Sequence, residues 1–215
     1  MNKTAVITGA TSGIGKAISE ELIKNKIKVL MNGRSFSDTI ESNEIIQTKF
    51  DLLEENAPQE LLNIAVNKFG QVDYLFVAAG IIESASIENI DITKMCTMMR
   101  LKVESSFRLI YTFLKYMKPR NTGHVFIISS VLGTKTREHS GAYAAANYAL
   151  EALAESLRME LSDTNIQITC IEPGLVRTNL HKDWPVHPQE LLGISNALQP
   201  EDIAEAIMEI LNKAD

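Results

Sequence analysis

Thr8-Gly9-Ala10-Thr11-Ser12-Gly13-Ile14-Gly15 is the stretch whose reading decides the fold. Residues 3–7 before it form a short apolar run that reads as a buried strand. After it, Ile14, Ala17, Ile18 and Leu22 recur at helical spacing. The glycines therefore lie where a strand turns into a helix. Gly9 permits the tight turn, Gly13 lets a pyrophosphate approach the backbone, and Gly15 lets helix and strand pack closely. Ser12 and Ile14 fall in the same loop. The helix start beyond it offers unpaired N–H groups and a partial positive charge to phosphates.

The chain is 215 residues long, which fits one domain over 1–215 with a sizeable core. A net charge of −6 without a basic stripe or tail argues against nucleic acid as a partner. The first strand begins at Lys3, leaving no room for a signal peptide, and no apolar run approaches membrane-spanning length. A cytoplasmic protein without membrane contact is the expectation. Cys96 and Cys170 lack ligand-like neighbours and read as buried free thiols of a reducing compartment.

Apolar runs alternate with helical patterns throughout. Strands are expected over 3–8, 27–31, 44–50, 73–79, 124–129 and 167–171, and helices over 13–25, 58–69, 93–117, 143–161 and 200–212. Such alternation predicts an α/β fold: a Rossmann-like, doubly wound parallel sheet of about six strands with helices on both faces. Its ligand should sit at the strands' C-terminal edge. Only a short stretch separates Arg34 from the third strand, so the usual crossover helix should be shortened or replaced by a loop there. After the second strand no carboxylate is present to bind a ribose 2′-hydroxyl. Arg34, followed by Ser35, instead offers a planar charged fork suited to a 2′-phosphate, and hence to NADP before NAD. A solvated surface arginine is the plainer reading of the same residue.

The form T-G-x-x-x-G-x-G over Thr8–Gly15 resembles the short-chain dehydrogenase/reductase family, and the resemblance extends to about Leu211, without the family's closing seventh strand. It implies that Asp51 and Leu52 contact the adenine, although Asp51 also reads as a turn or cap residue. Ala79 and Gly80 would floor the cofactor, in a strand end that has Val77-Ala78 where the family has two asparagines. Pro173, Gly174, Val176 and Thr178 match the P-G-x-x-x-T run, with Val176 at the nicotinamide amide and Thr178 at the diphosphate. In the family a serine at a strand end and a tyrosine at a helix start meet over the nicotinamide. The I-S-S-x-x-G run and the spacing to Tyr143 select Ser130 over Ser129. A carbonyl turning into an alkoxide must be protonated as hydride arrives, which is the work of such a pair.

Two departures follow from the same resemblance. The position four beyond the tyrosine, normally lysine, holds Asn147, which can hydrogen-bond a ribose hydroxyl but carries no charge. On the long helix, Lys102 stands where the family's catalytic asparagine belongs. The two residue types have changed places, and Lys102 reads either as supplying the missing charge from the other helix or as a lysine that snorkels to solvent or pairs with a carboxylate. The implied protein is an NADP-dependent oxidoreductase that interconverts a small carbonyl and alcohol with an altered proton relay. The alternative is a non-catalytic NADP(H)-binding sensor or interaction protein. A homodimer is expected, because the absent last strand removes a common tetramer interface. Residues 179–199, with His181, Trp184, Pro185, His187 and Pro188, read as a substrate lid. No histidine there has metal-like spacing, so no metal is expected.

Overall fold

The computed structural model describes residues 3–182, 184, 186, 188–191 and 193–214. Its elements in chain order are β1 (Thr4–Thr8), α1 (Gly13–Lys24), β2 (Lys28–Asn32), β3 (Ile45–Thr48), α2 (Ala57–Phe69), β4 (Tyr74–Val77), α3 (Ile92–Met99), α4 (Ser106–Met117), β5 (Gly123–Ile128), α5 (Gly141–Glu160), β6 (Ile166–Ile171), α6 (Pro188–Leu191) and α7 (Pro200–Ala214). The strands form one six-stranded sheet in the order β3-β2-β1-β4-β5-β6, with every pairing parallel. The order reverses between β1 and β4, and the crevice at their C-terminal ends is where such sheets bind ligands. No helix joins β2 to β3, as expected from the short connection.

Both faces of the sheet are covered, which is why its strands read as unbroken apolar runs. Successive side chains of a strand point to opposite faces. Val6, Leu30, Leu75, Val125 and Ile127 therefore pack with Leu61 of α2, Phe113 of α4 and Leu153 of α5. Ala5, Ile7, Val29, Phe76 and Phe126 meet Ile18 and Leu22 of α1 and Ile207 and Leu211 of α7 on the other side. Phe76 and Phe126 stack with ring centroids 4.7 Å apart. Among the described residues, no helix is long and apolar enough to cross a membrane.

Three expectations need correction. The fourth strand ends at Val77, two residues early, because the amides of Ala78 and Ala79 turn away from the ladder. Both donate to the Thr8 hydroxyl, at 3.2 and 3.4 Å, and that hydroxyl donates to the Phe76 carbonyl. Thr8 thus ties β4 to β1 in a strand end that lacks the family's asparagines. The helix expected over 93–117 is interrupted by a π-helical segment, Arg100–Ser105, between α3 and α4. Within it the Ser105 hydroxyl donates to the Leu101 carbonyl, an i−4 bond that competes with the backbone amide for the same acceptor. The wider turn places Leu101, Lys102 and Ser105 inward. Finally, Cys96 is exposed on α3 and Cys170 only partly buried, so the thiols are free but not both buried.

Thr8→Val keeps the shape of the side chain but leaves two backbone amides without their acceptor. It should destabilise the fold by about 1–3 kcal/mol, the usual cost of an unsatisfied buried polar group. Urea unfolding measures this, and an unchanged midpoint would show that the hydroxyl is dispensable to the β1–β4 junction.

Candidate active site

The site begins where β1 hands the chain to α1. Gly9 has φ +70°, and a Cβ there would lie 2.7 Å from Ala79 Cα. A Cβ on Gly15 would stand 2.4 Å from the Gly9 carbonyl oxygen. Neither position can carry a side chain, so the backbones of β1, the end of β4 and α1 converge. Gly13 (φ +54°) faces Thr178, whose Cγ2 would be 3.0 Å from an added Cβ, so the P-G-x-x-x-T run arrives beside the glycine loop. Ser12 caps α1 without a side-chain hydrogen bond, and the first turn holds no acidic residue. The positive end of α1 is therefore left for an external anion, a cradle that fits a dinucleotide diphosphate.

Arg34 and Ser35 lie exposed beyond β2. Arg34 Nη1 is 3.7 Å from Asp51 Oδ2, with both side chains more than a third exposed. Such a pair contributes little by itself and leaves the guanidinium able to turn to a phosphate. Asp51 also accepts a hydrogen bond from the Leu53 amide at 3.0 Å, the turn role that sequence left open. Leu52 packs into the core, so its side chain is unavailable to an adenine ring. One residue passed over in sequence matters here. Buried Asn32 accepts from the Phe50 amide and the Thr48 hydroxyl and donates to the Phe50 carbonyl, fixing the β2 edge to β3.

Ser130 follows β5, Tyr143 and Asn147 lie on α5, and Lys102 lies on the π segment. Ser130 and Tyr143 are both buried, and the Ser130 hydroxyl accepts from the Leu132 amide at 3.2 Å. Burial pushes the Tyr143 hydroxyl above its ordinary pKa, while hydrogen bonding from Asn147 and Ser130 draws it part of the way back. Asn147 has no exposed surface; its Nδ2 donates to the Tyr143 carbonyl at 2.7 Å, and its Oδ1 lacks a partner. Lys102 is 5% exposed. Its ammonium lies 5.5 Å from the centroid of the Tyr143 ring and donates to the Ile128 carbonyl at 3.4 Å. It also borders Gly80, where an added Cβ would be 3.9 Å from Nζ. Desolvation lowers Lys102 to about 8, against an opposing pull from Glu151. Sequence reasoning missed Glu151, although it stands one turn beyond Asn147 on the same face of α5.

Pro173 is buried, and its carbonyl accepts from the Val131 amide, joining the end of β6 to that of β5. Gly174 is exposed beside it, whereas Val176 is buried and bridges to Leu198. Thr178 accepts from the Leu180 amide at 3.2 Å and starts a short 3-10 turn over Asn179–His181. The stretch read as a lid includes this turn and α6; Pro185 and His187 lie outside the described residues. His181 and Trp184 meet edge to face, centroids 4.9 Å apart. Arg177, Gln189, Glu190, Gly193, Ile194 and Ser195 line an open cleft of about 670 Å³ in the same segment.

A family profile described as short chain dehydrogenase matches residues 3–188. An uncharacterized oxidoreductase of Staphylococcus saprophyticus is 31% identical, over 99% of this chain and 92% of its own. Among solved structures, the closed form of a serine dehydrogenase complexed with NADP+ superposes with a TM-score of 0.86 at 25% identity, covering 95% of this chain and 87% of that one. A short chain dehydrogenase/reductase from Burkholderia phymatum in complex with NAD gives 0.87, at 22% identity over 99% and 86%. The chain belongs to the short-chain dehydrogenase/reductase family. It is an oxidoreductase of that family.

Burying Lys102 has a stability consequence. Its folded pKa lies below the unfolded value of 10.5, so between about 8 and 10.5 the unfolded chain holds a proton that the folded chain has released. Stability from this group therefore rises with pH through that window, and the full cost applies below it. Lys102→Met should stabilise the protein at pH 7 by roughly 1–3 kcal/mol, the gap closing towards pH 10.5. Thermal unfolding of both proteins across this range checks it, and a gap that does not change with pH would contradict it.

Proposed function

We propose that this chain is an NADP-dependent reductase that interconverts a small carbonyl and its alcohol, with Ser130, Tyr143, Asn147 and Lys102 as its catalytic group. The observation that carries the reading is the buried Lys102 ammonium 5.5 Å from the centroid of the Tyr143 ring. A bound nicotinamide cofactor supplies or accepts the hydride. Nicotinamide cofactors are named for the structural relatives, NADP+ for the serine dehydrogenase and NAD for the Burkholderia phymatum enzyme.

Each residue then has a task its chemistry suits. Ser130 holds the substrate oxygen, and Tyr143, a neutral phenol near pH 7, gives it a proton. Lys102 favours the deprotonated phenol that this leaves. The Asn147 Oδ1, a buried acceptor without a donor, suits a ribose hydroxyl. The loop of Gly9, Ser12, Gly13, Ile14 and Gly15, joined by Thr178, takes the diphosphate. Arg34 and Ser35 take the 2′-phosphate, with Asp51 and the Leu52 backbone beside the adenine. Ala79 and Gly80 form the floor, and Pro173, Gly174 and Val176 border the nicotinamide. A homodimer through α4 and α5 belongs to the same proposal, supported by Tyr111 and Tyr148, exposed on those helices.

The cofactor preference is tested by dissociation constants for NADPH and NADH. A charge-assisted contact of roughly 1.5–3 kcal/mol predicts about a ten-fold or greater preference for NADPH, lost in Arg34→Ala. Equal affinities in the wild type would remove the basis for NADP. One observation favours a second reading, a non-catalytic NADP(H)-binding sensor or interaction protein: the Asn147 amide is committed to the Tyr143 carbonyl and carries no charge.

NADPH consumption against small ketones, aldehydes and quinones separates the two readings. In a catalytic protein Lys102→Ala should lower turnover by roughly 10²–10⁴-fold while cofactor affinity changes little, and Asn147→Lys in that background should restore part of the rate. Turnover equal to wild type in Lys102→Ala would take the lysine out of the mechanism.

A further inference from the structure

Two opposite charges border one cleft in the segment after β6, and neither is neutralised. Arg177 and Glu190 both line the open space of about 670 Å³. Among the described residues neither of them forms an ion pair, with the other or with any neighbour. Arg177 belongs to the stretch 175–178, where side chains alternate in direction. Val176 is buried, Thr178 faces Gly13, and Arg177 between them is exposed. Its main chain is pinned on both sides. The Arg177 amide donates to the Leu198 carbonyl at 2.8 Å, and the Leu198 amide donates to the Leu175 carbonyl at 3.0 Å.

The other wall is a turn that closes on itself. The Gly193 amide donates to the Glu190 carbonyl at 3.1 Å, and the Ile194 amide to the Gln189 carbonyl at 2.9 Å. The Gln189 side-chain amide adds a bond to the Ser195 carbonyl at 3.4 Å. Gly193 makes the turn possible with φ +61°, and a Cβ on it would meet nothing within 4 Å, so this wall borders open space. Glu190 enters the turn from α6, and Ile194 adds a half-buried apolar surface. Main-chain hydrogen bonds therefore hold both walls, and the two charges are left to a molecule that enters between them.

We infer that this cleft is a binding site for a small zwitterion of the amino-acid class, with the ligand's carboxylate on Arg177 and its ammonium on Glu190. The pair of charges selects the class. A simple anion or a phosphate drawn to Arg177 would share the space with the Glu190 carboxylate, which repels it. A simple cation drawn to Glu190 would share it with the guanidinium. A molecule carrying both signs answers both residues at once, and repulsion counts against the rest. The planar guanidinium suits a carboxylate through two parallel N–H···O bonds. Ser195 offers a hydroxyl that donates or accepts, and Ile194 an apolar contact for the ligand's carbon chain. The charges are exposed, so salt screens them and the affinity should be on the order of 1 mM. Because Arg177 leaves the chain on the side opposite Thr178, the site is distinct from the glycine-loop cradle. It stands whether or not the protein reduces a carbonyl.

The test measures binding itself, in the cofactor-free protein. Isothermal titration and ligand-observed NMR detect it directly, and Trp184, the only tryptophan of the chain, reports it by fluorescence from the same segment. The probes are L-alanine, β-alanine and γ-aminobutyrate, whose charges lie at increasing separation. Propanoate and propylamine serve as analogues that carry one charge each. At least one zwitterion should bind about ten-fold or more tightly than either analogue, as expected when a charge-assisted contact is lost. Arg177→Ala and Glu190→Ala should each weaken that zwitterion by about ten-fold or more, while Arg177→Lys retains part of the affinity. Both residues are exposed, so these variants leave the core intact. Failure of all three zwitterions to bind the wild type overturns the site. Binding that propanoate or propylamine matches, or that Arg177→Ala leaves unchanged, overturns it equally.

Discussion

Backbone meets backbone at the C-terminal end of β1, and the crevice at the switch in strand order depends on that contact. Gly9 rests on the main chain of Ala79, and Gly15 rests on the carbonyl of Gly9, at separations that exclude any Cβ. β1, β4 and α1 are thereby drawn to one point at the place where strand order reverses. Thr8 secures the same junction with its hydroxyl, accepting two amides that have left the ladder of β4. The convergence leaves the start of α1 open to an anion and brings Thr178 to the glycine loop from far along the chain. A larger residue at Gly9 or Gly15 would push strand and helix apart, and everything downstream is registered to them.

The cluster of Tyr143 and Lys102 answers to a different constraint, the cost of putting charge where water is scarce. Burial raises Tyr143 and lowers Lys102, so both are driven towards their neutral forms. A phenol held neutral near pH 7 is a proton donor, which suits reduction of a carbonyl better than oxidation of an alcohol. A lysine held at about 8 exchanges protons close to neutrality, as an unperturbed one does not. That lysine is buried within the π-helical segment that joins α3 and α4. Insertions of this kind are common at functional sites, where they re-aim a side chain at the expense of regular hydrogen bonding. Placing the cation on this helix rather than on α5 frees Asn147 to be a wholly buried amide, with one end tied to the Tyr143 carbonyl.

Core and site also share their elements. The face of α5 that carries Leu150, Ala154 and Leu157 packs on the sheet, and the adjoining face carries Tyr143, Asn147 and Glu151. Likewise β5 supplies Val125 and Ile127 to one core and Phe126 and Ile128 to the other, then ends in Ser129 and Ser130 at the site. Rigid packing of these elements is what holds the polar groups at fixed separations; a looser sheet would let water replace each contact.

The sequence by itself determined the α/β alternation and the turn of the glycine loop, because each is written in local periodicity or short spacing, while the pairing of Ser130 with Tyr143 came from the family resemblance. Val29-Leu30-Met31 is apolar on both faces and so declares a doubly covered strand wherever it pairs. Thr8–Gly15 declares its turn by its glycines. The family resemblance added the exchange of Asn147 and Lys102, since it supplied the pattern from which both depart. Only the tertiary structure decided where the Lys102 ammonium goes, because a lysine on an amphipathic helix can reach solvent or core and the groups packed around it decide between them. It alone brought Glu151 and Ser129 to either side of Gly133, residues from a helix and a strand that share no motif. It alone made Leu52 a core residue and Asp51 a turn residue, although both fit a cofactor pattern. Local sequence specifies backbone conformation through short-range sterics and periodic burial, whereas the charge and hydrogen-bonding state of a side chain depends on groups that only the folded packing brings near.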